Sequence, residues 1–347
     1  MIVYRTLSAF VTDSDMLERL QSQAGDRLET LNLSSRLHTV SIYAGKLYAA
    51  LERARLPECA DSHGIVLHLD DHMIQKNKLK QPLRPEVSFP ISISKDAACA
   101  QWYRTAVTVT RPQNCPNIPI EDICHIIQRA EHLEHSFHLL NDMLSKIKLP
   151  PNVQRDNYEE VDAVPLDHLL QAKQIITPKD ITILSLIIAS SIVQLGATGW
   201  LERCLTKKAI IFFPLQGKGI YLTSSPSIMK VFRNDPASVT DHRTKPIDAL
   251  FELGILLLEI GNKKTFEMWL EENDLSCADE TRFARLPVAL QWYEESDGLL
   301  PIKYRIVVAK CLKCSFDDYK LSWDDVEFRQ AICREVIEPL HQNTSIW

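Results

Sequence analysis

A chain of 347 residues with 39 Lys and Arg against 45 Asp and Glu carries a formal charge of -6, and 45% of its residues are apolar. That is the balance of an ordinary folded protein of about two domains, and it excludes a disordered acidic tail, a collagen-like rod and a small disulfide scaffold. A nucleic-acid binder would carry a basic excess that is missing here. Only 10 residues are glycine, which leaves few places for a phosphate-cradling loop.

In chain order, residues 1–57 read as helical, with Tyr43, Leu47 and Leu51 recurring every four residues beside Ala50 and Ala54. That spacing makes one packing face. Between 64 and 110 the period changes to two: Ile65, Leu67 and Leu69; Val87, Phe89, Ile91 and Ile93; Tyr103, Thr105, Val107 and Val109. Three such runs predict a small antiparallel sheet. Pro90 lacks a backbone donor, which predicts an edge position for the second run. From Pro119 to Ile147 apolar residues again fall three or four apart (Ile123, Ile127, Ala130, Leu133, Phe137, Leu140, Leu144, Ile147), predicting a long helix or helix pair ended by Pro150 and Pro151. Residues 148–164 are polar, contain proline and form the candidate linker.

The second half is helix-rich. Leu166–Ala172 is a short helix, and Pro178 opens a helix whose apolar run reaches Leu195. The stretch from Ile181 to Ala197 is the most apolar in the chain, falls short of the ~20 residues that span a bilayer, and reads as a buried core helix. Ile210–Phe213 and Ile220–Leu222 form a candidate hairpin around Gly217 and Gly219. Apolar helices follow at Ile247–Ile260, Leu286–Tyr293, Ile302–Leu312 and Trp323–Leu340. The expected organisation is a helical region over 1–57, a sheet plus helix over 58–160 and a helical domain over 161–347.

Nine cysteines, odd in number and irregular in spacing, run from Cys59 to Cys333, and Met1–Phe10 lacks the apolar core of a signal peptide. Reduced thiols in a cytoplasmic or nuclear protein are the expectation, so the N-x-S/T triplets at Asn32 and Asn343 carry no meaning. Lys76, Lys78 and Lys80 lie beside Asp70 and Asp71 and read as a solvated loop.

Several clusters nominate chemistry. His68-Leu69-Asp70-Asp71-His72 offers ligand types suited to a metal, and on a strand His68, Asp70 and His72 share one face. That face lies opposite the apolar one, so a solvent-facing polar surface is the default. His125, His132, His135 and His138 lie on the expected long helix, His132 and His135 and likewise His135 and His138 one turn apart, where a pH-responsive surface competes with a plain solvated face. Cys311-Leu-Lys-Cys314 is a lone C-x-x-C at a helix end without the second pair zinc needs, and structural cysteine is its default. Cys59 and His63, and Ser92-Ile-Ser-Lys95, match fragments of nucleophilic sites without the rest of either. There is no G-x-S-x-G, H-E-x-x-H, G-x-x-x-x-G-K-[ST] or G-x-G-x-x-G. No catalytic, cofactor-binding or metal-binding residue is therefore assigned.

The order of elements — small sheet, helix, linker, then a helical lobe with a short hairpin — resembles the plan of a protein kinase. Leu166-Asp-His-Leu-Leu170 resembles the helix after a kinase hinge, Ile181–Leu195 the helix before the catalytic loop, and Leu253-Gly-Ile-Leu-Leu-Leu-Glu-Ile260 the buried central helix of the larger lobe. More specifically, the chain resembles a fungal kinase-like domain family of unknown function that often follows HeLo-type or prion-inhibition helical modules. The matching segments include Leu47-Tyr-Ala-Ala-Leu51 with Cys59 and His63, Ile65–Leu69, Ile120–Cys124, Ile192–Leu195, Trp200-Leu201, Ala289–Trp292, Cys311-Leu312 and Glu327–Ala331 with Pro339-Leu340. The family's richer Cys/His pattern is absent around Cys59 and His63.

The resemblance implies an α+β, two-lobed, kinase-like fold with a helical N-terminal extension. Phosphoryl transfer needs a glycine-rich cover, a strand lysine, an aspartate base and magnesium-binding Asp and Asn. No glycine loop precedes residue 110, and the nearest strand lysine is Lys95. The catalytic-loop position reads Trp200-Leu-Glu-Arg-Cys-Leu-Thr-Lys-Lys208, with Glu202 its sole carboxylate, and the D-F-G position reads Thr223-Ser-Ser-Pro226. The expectation is a catalytically inactive interaction or regulatory domain with a protein partner, no cofactor, no nucleic acid and no membrane span. The alternatives are a divergent kinase or other enzyme with relocated residues, and a metal-dependent binder using His68, Asp70 and His72.

Overall fold

The computed structural model describes residues 30–54, 63–69, 86–90, 102–108, 118–128, 135–148, 158–159, 163–172, 177–201, 205–213, 226–232, 244–316 and 319–344. Its first element is helix α1, over residues 30–53. Leu47, Leu51, Ala50 and Ala54 are buried on it, as their spacing predicts, and Tyr43 is half-buried.

Strands β1 (His63–His68), β2 (Glu86–Pro90) and β3 (Trp102–Thr108) follow, and β1–β2 and β2–β3 pair antiparallel. The predicted edge position of Pro90 is overturned, because β2 lies between β1 and β3. Pro90 is tolerated as the last residue of the strand, opposite Trp102.

The predicted long helix over 119–147 is also overturned. In its place stand β4 (Ile118–Pro119), the six-residue helix α2 (Ile123–Gln128) and a hairpin of β5 (His135–Leu140) and β6 (Met143–Lys148). The two residues joining the hairpin, Asn141 and Asp142, have φ of 51° and 60°, the left-handed pair of a type I′ turn. β5 pairs parallel with β3, and β4 with β6 antiparallel.

β7 (Tyr158–Glu159) and β8 (Val164–Pro165) lead to helices α3 (Leu166–Gln171) and α4 (Pro178–Leu195). Thr177 and Asp180 form a reciprocal capping box at the start of α4. α4 is 18 residues long with mean hydropathy 1.4, apolar enough by length and composition to cross a bilayer, yet 72% of it is buried in the fold. β9 (Ile210–Phe212) follows and pairs antiparallel with β10 (Ser227–Phe232); the predicted hairpin strand at 220–222 lies outside the described residues.

β10 also runs antiparallel to β1 along all six residues. The sheet path is therefore β4-β6-β5-β3-β2-β1-β10-β9-β8, with β7 on β3. It joins the first half of the chain to the second. The rest is helical: α5 (Pro246–Asn262), α6 (Phe266–Glu272), α7 (Arg282–Glu295), α8 (Ile302–Lys313) and α9 (Val326–Ile332), the last continuing through a π turn (Cys333–Ile337) into α10 (Glu338–Thr344). The class is α+β, as expected.

α5 is the axis of the helical half, with eleven consecutive or near-consecutive buried residues from Ala249 to Ile260. α4, α5 and α8 meet at Tyr304. Its hydroxyl donates to the Leu257 carbonyl at 2.7 Å and so accepts from Ser185 Oγ at 2.9 Å. Close contact between α5 and α8 requires Gly254, where a Cβ would sit 2.8 Å from Leu312.

α1 clamps both halves. Lys46 Nζ pairs with Asp142 at 2.9 Å, Arg53 donates to the Asp142 carbonyl, and the Ala54 carbonyl accepts the amide of Ile123 at 2.7 Å. On its other side Trp200 Nε1 donates to the Ala44 carbonyl at 2.8 Å, with Tyr48 packed edge-on at 5.8 Å. Thr30 reaches Glu338 on α10. The turn at 196–200 fits against α1 only because residue 199 lacks a side chain: a Cβ would lie 2.1 Å from the Tyr48 ring. Gly199→Ala is expected to destabilise the fold by about 1–3 kcal/mol, the overpacking range, in urea denaturation. Wild-type stability would contradict this packing.

Candidate functional site

Among the described residues a partly buried convergence of charge lies where the resemblance puts a catalytic loop. Leu205 is buried, and the turn after it places the Ala209 and Ile210 amides on the Thr206 carbonyl before the chain enters β9. That turn aims Lys207 at the C-terminal end of α5. There the left-handed Lys263, with φ 57°, reverses the chain, and Thr265 caps α6. Glu259, on the last turns of α5, is only 1% exposed and faces into this reversal.

Lys207 Nζ donates to Glu259 Oε1 at 2.5 Å and to Glu267 Oε2 at 2.6 Å. The same Glu259 oxygen accepts the Phe266 amide at 2.8 Å. Burial pulls the ammonium down, but Glu259, then Glu267, outweigh it and hold Lys207 above the ordinary lysine value. The Glu267 carboxyl is held below its usual range: partial burial raises it, and the hydrogen bond from Lys207 more than offsets this.

The chemistry open to this cluster is narrow. A lysine kept protonated is neither nucleophile nor base. Moving it onto a phosphate would strand a buried carboxylate, which costs several kcal/mol. The cluster ties the entry to β9 to α5 and α6.

The residues nominated by sequence are dispersed. His68 is buried rather than solvent-facing, a correction with a plain cause: β1 lies inside the sheet, between β2 and β10, and is covered on both faces. Its Nδ1 is 2.9 Å from Ser227 Oγ and its ring leans on Phe213 at 5.6 Å. Val66, Ile211 and Phe213 make a small second core on that side. Asp70, Asp71, His72, Cys59, Ser92, Lys95, Glu202 and the lysines at 76, 78 and 80 lie outside the described residues.

The histidines expected one turn apart on a helix are not so arranged. His125 lies on α2, His135 and His138 lie on β5, and His132 is outside the described residues. His138 is buried, 3.1 Å from Ser136 Oγ. Among the described residues no three His, Cys, Asp or Glu side chains group as a metal ion needs.

Cys311 and Cys314 end α8. Burial, then Cys314, push the Cys311 thiol far up, and Cys314, in the left-handed cap at φ 50°, points its sulfur at the Ile247 carbonyl at 3.4 Å. Burial, then Glu338, raise Cys333 to about 12. None of this is the electropositive, accessible setting of a reactive thiol. Sequence reasoning missed Glu259 as half of a pair, having counted it only as the glutamate closing an apolar run. The signal was an acid inside the otherwise apolar run Leu253–Ile260, all of whose residues are buried, which requires a cation nearby.

The chain belongs to the family described as Domain of unknown function (DUF7580), whose pattern matches residues 34–347. The match begins inside α1, so that helix is part of the family's unit. No curated protein matches significantly. Among solved structures, the complex of Neurospora crassa PAN2 (WD40-CS1) with PAN3 (pseudokinase and C-term) is similar at 12% identity, covering 87% of this chain and 69% of that one. Its TM-score is 0.32, a level that carries no argument about this chain.

Three outcomes test these assignments. Lys207→Met and Glu259→Gln should each destabilise by about 3–5 kcal/mol, with the double variant losing less than the sum. Additive losses in a double-mutant cycle would refute the pair. The raised lysine stabilises the fold fully below its unfolded value of roughly 10.4 and loses that contribution as pH climbs through its folded value. Cys311, Cys314 and Cys333 should resist a thiol reagent in the native state and react on unfolding; fast native labelling of Cys311 would contradict their structural role.

Proposed function

We propose that this chain is a catalytically inactive, kinase-like interaction or regulatory domain. The observation that carries the reading is the state of Lys207, the part-buried one of the two lysines at the catalytic-loop position, which is held between Glu259 and Glu267 while Lys208 is exposed. The sequence supports it independently: the glycine-rich cover, the H-R-D run, the D-F-G run and the metal-binding asparagine of phosphoryl transfer have no counterparts here. Transferring a phosphoryl group depends on neutralising its charge, and these are the groups that do so.

The two-lobed plan and membership of the fungal kinase-like family are part of the proposal. The burial of α5 as the axis of the helical half supports them. The plan departs from the expected separate small sheet where β10 extends it onto β1. A protein partner, rather than nucleic acid, fits the charge of -6. A reducing compartment, cytoplasmic or nuclear, fits Cys277, Cys311 and Cys333, which stand as thiols.

Thermal denaturation with and without ATP and magnesium tests this reading. The melting temperature should stay unchanged, and no γ-phosphate should move to protein or water. A rise above about 3 °C with nucleotide, accompanied by phosphate transfer, would favour the enzyme.

A further inference from the structure

Residues 296–301 join α7 to α8, and within that turn stands Asp297-Gly298, the one Asp-Gly or Asn-Gly pair in the sequence. Both residues are exposed, Asp297 with 74% of its side chain open to water. Gly298 is left-handed at φ 74°, and a Cβ there would meet nothing within 4 Å, so the space beside its amide is open. That amide donates to Asp297 Oδ1 at 3.0 Å. The bond folds the carboxylate back onto the nitrogen that follows it, and attack of that nitrogen on Cγ closes a succinimide ring. No side chain at 298 obstructs the approach.

We propose that Asp297-Gly298 isomerises spontaneously to isoaspartate through this cyclic imide, and that the ion pair with Arg305 sets the rate. In the first step the Gly298 nitrogen bonds to Asp297 Cγ and gives up its proton. One carboxylate oxygen leaves as water, carrying that proton and a second from solvent. In the second step water adds at either imide carbonyl. Addition at Cγ restores aspartate. Addition at the main-chain carbonyl breaks its bond to Gly298 and leaves the chain running through Cγ. The water lost is regained, and no oxidant, reductant or enzyme is required. The proposal stands independently of the kinase-like reading.

Arg305 opposes the first step. Its guanidinium lies 4.8 Å from the centre of the Tyr293 ring, which steadies it beside Asp297, and it pairs with the same Oδ1 that accepts the Gly298 amide. The carboxylate's charge disappears as the imide forms, so whatever the pair gives the starting state is added to the barrier. The flanks of the turn decide the consequence. Ser296 is buried; its hydroxyl lies 2.8 Å from the Trp292 carbonyl and accepts from Asn262 Nδ2 on α5 at 3.0 Å. Leu300 is buried against Gly261, where a Cβ would meet its side chain at 2.7 Å. Isoaspartate adds a main-chain atom between these two fixed points and so works against the seating of Leu300.

Ageing the full chain at physiological pH and temperature tests this. A protein isoaspartyl methyltransferase with labelled S-adenosylmethionine reports isoaspartate, and protease mapping locates it. Label should accumulate over weeks in the peptide that holds Asp297. It should stay absent from that peptide in Asp297→Glu, whose longer side chain closes its imide far more slowly. Arg305→Gln, shown to remain folded, should label about fivefold faster, the upper value for an exposed ion pair. Raised salt, which screens the pair, should move the wild type in the same direction. The modified fraction should melt below the fresh chain. An aged wild type without label at Asp297, a rate indifferent to both Arg305→Gln and salt, or a modified chain that melts like the fresh one would each overturn the proposal.

Discussion

Glu259 is a charge placed where the chain has almost no water, at the end of the helix on which the helical half is built. Buried carboxylates persist only with a matched cation and additional donors. Lys207 and the Phe266 amide supply both. The consequence extends past the three residues. Lys207 lies just before β9, which pairs with β8 and β10, and β10 pairs with β1. The ion pair therefore ties the helical axis to the β10-β9-β8 end of the sheet.

A second constraint closes the fold from the other side. α1 touches the β5–β6 turn through Asp142, the start of α2 through Ala54, the turn after α4 through Trp200, and α10 through Thr30. A further run of hydrogen bonds seals the end of the helical half: Arg329 to the Trp323 carbonyl, Trp323 Nε1 to the Thr244 carbonyl, Thr244 Oγ1 to the Leu201 carbonyl. The N-terminal helix is thus part of the packed unit. Both constraints act on the described residues 196–201 and 205–210. These residues are given over to packing on one side and to a buried pair on the other.

Much of this was legible in residue pattern because local and tertiary demands agreed. Pro178 marked the start of α4, and the apolar run to Leu195 marked its burial. α5 and α8 were readable for the same reason. The failure at 119–147 is instructive. Phe137, Leu140, Leu144 and Ile147 satisfy a helical period, but Phe137, Leu139 and Leu144 are the buried set of a hairpin, and Asn141-Asp142 was its turn signal. His68 was misjudged because alternation identifies a strand's two faces without saying that the second is covered. Pro90 was misplaced because a strand's last residue can lack a donor inside a sheet. The Lys207–Glu259 pair lies 52 residues apart in sequence, and no periodicity reports such a meeting.

The central claim is that Lys207 is bound to carboxylates and closed to nucleotide. Nuclear magnetic resonance of 15N-labelled lysine ammonium groups tests it directly. Lys207 should give a signal protected from solvent exchange, titrating above the other lysines, lost in Glu259→Gln and unmoved by ATP with magnesium. A Lys207 signal that exchanges like a surface lysine, or shifts when nucleotide is added, would contradict the account.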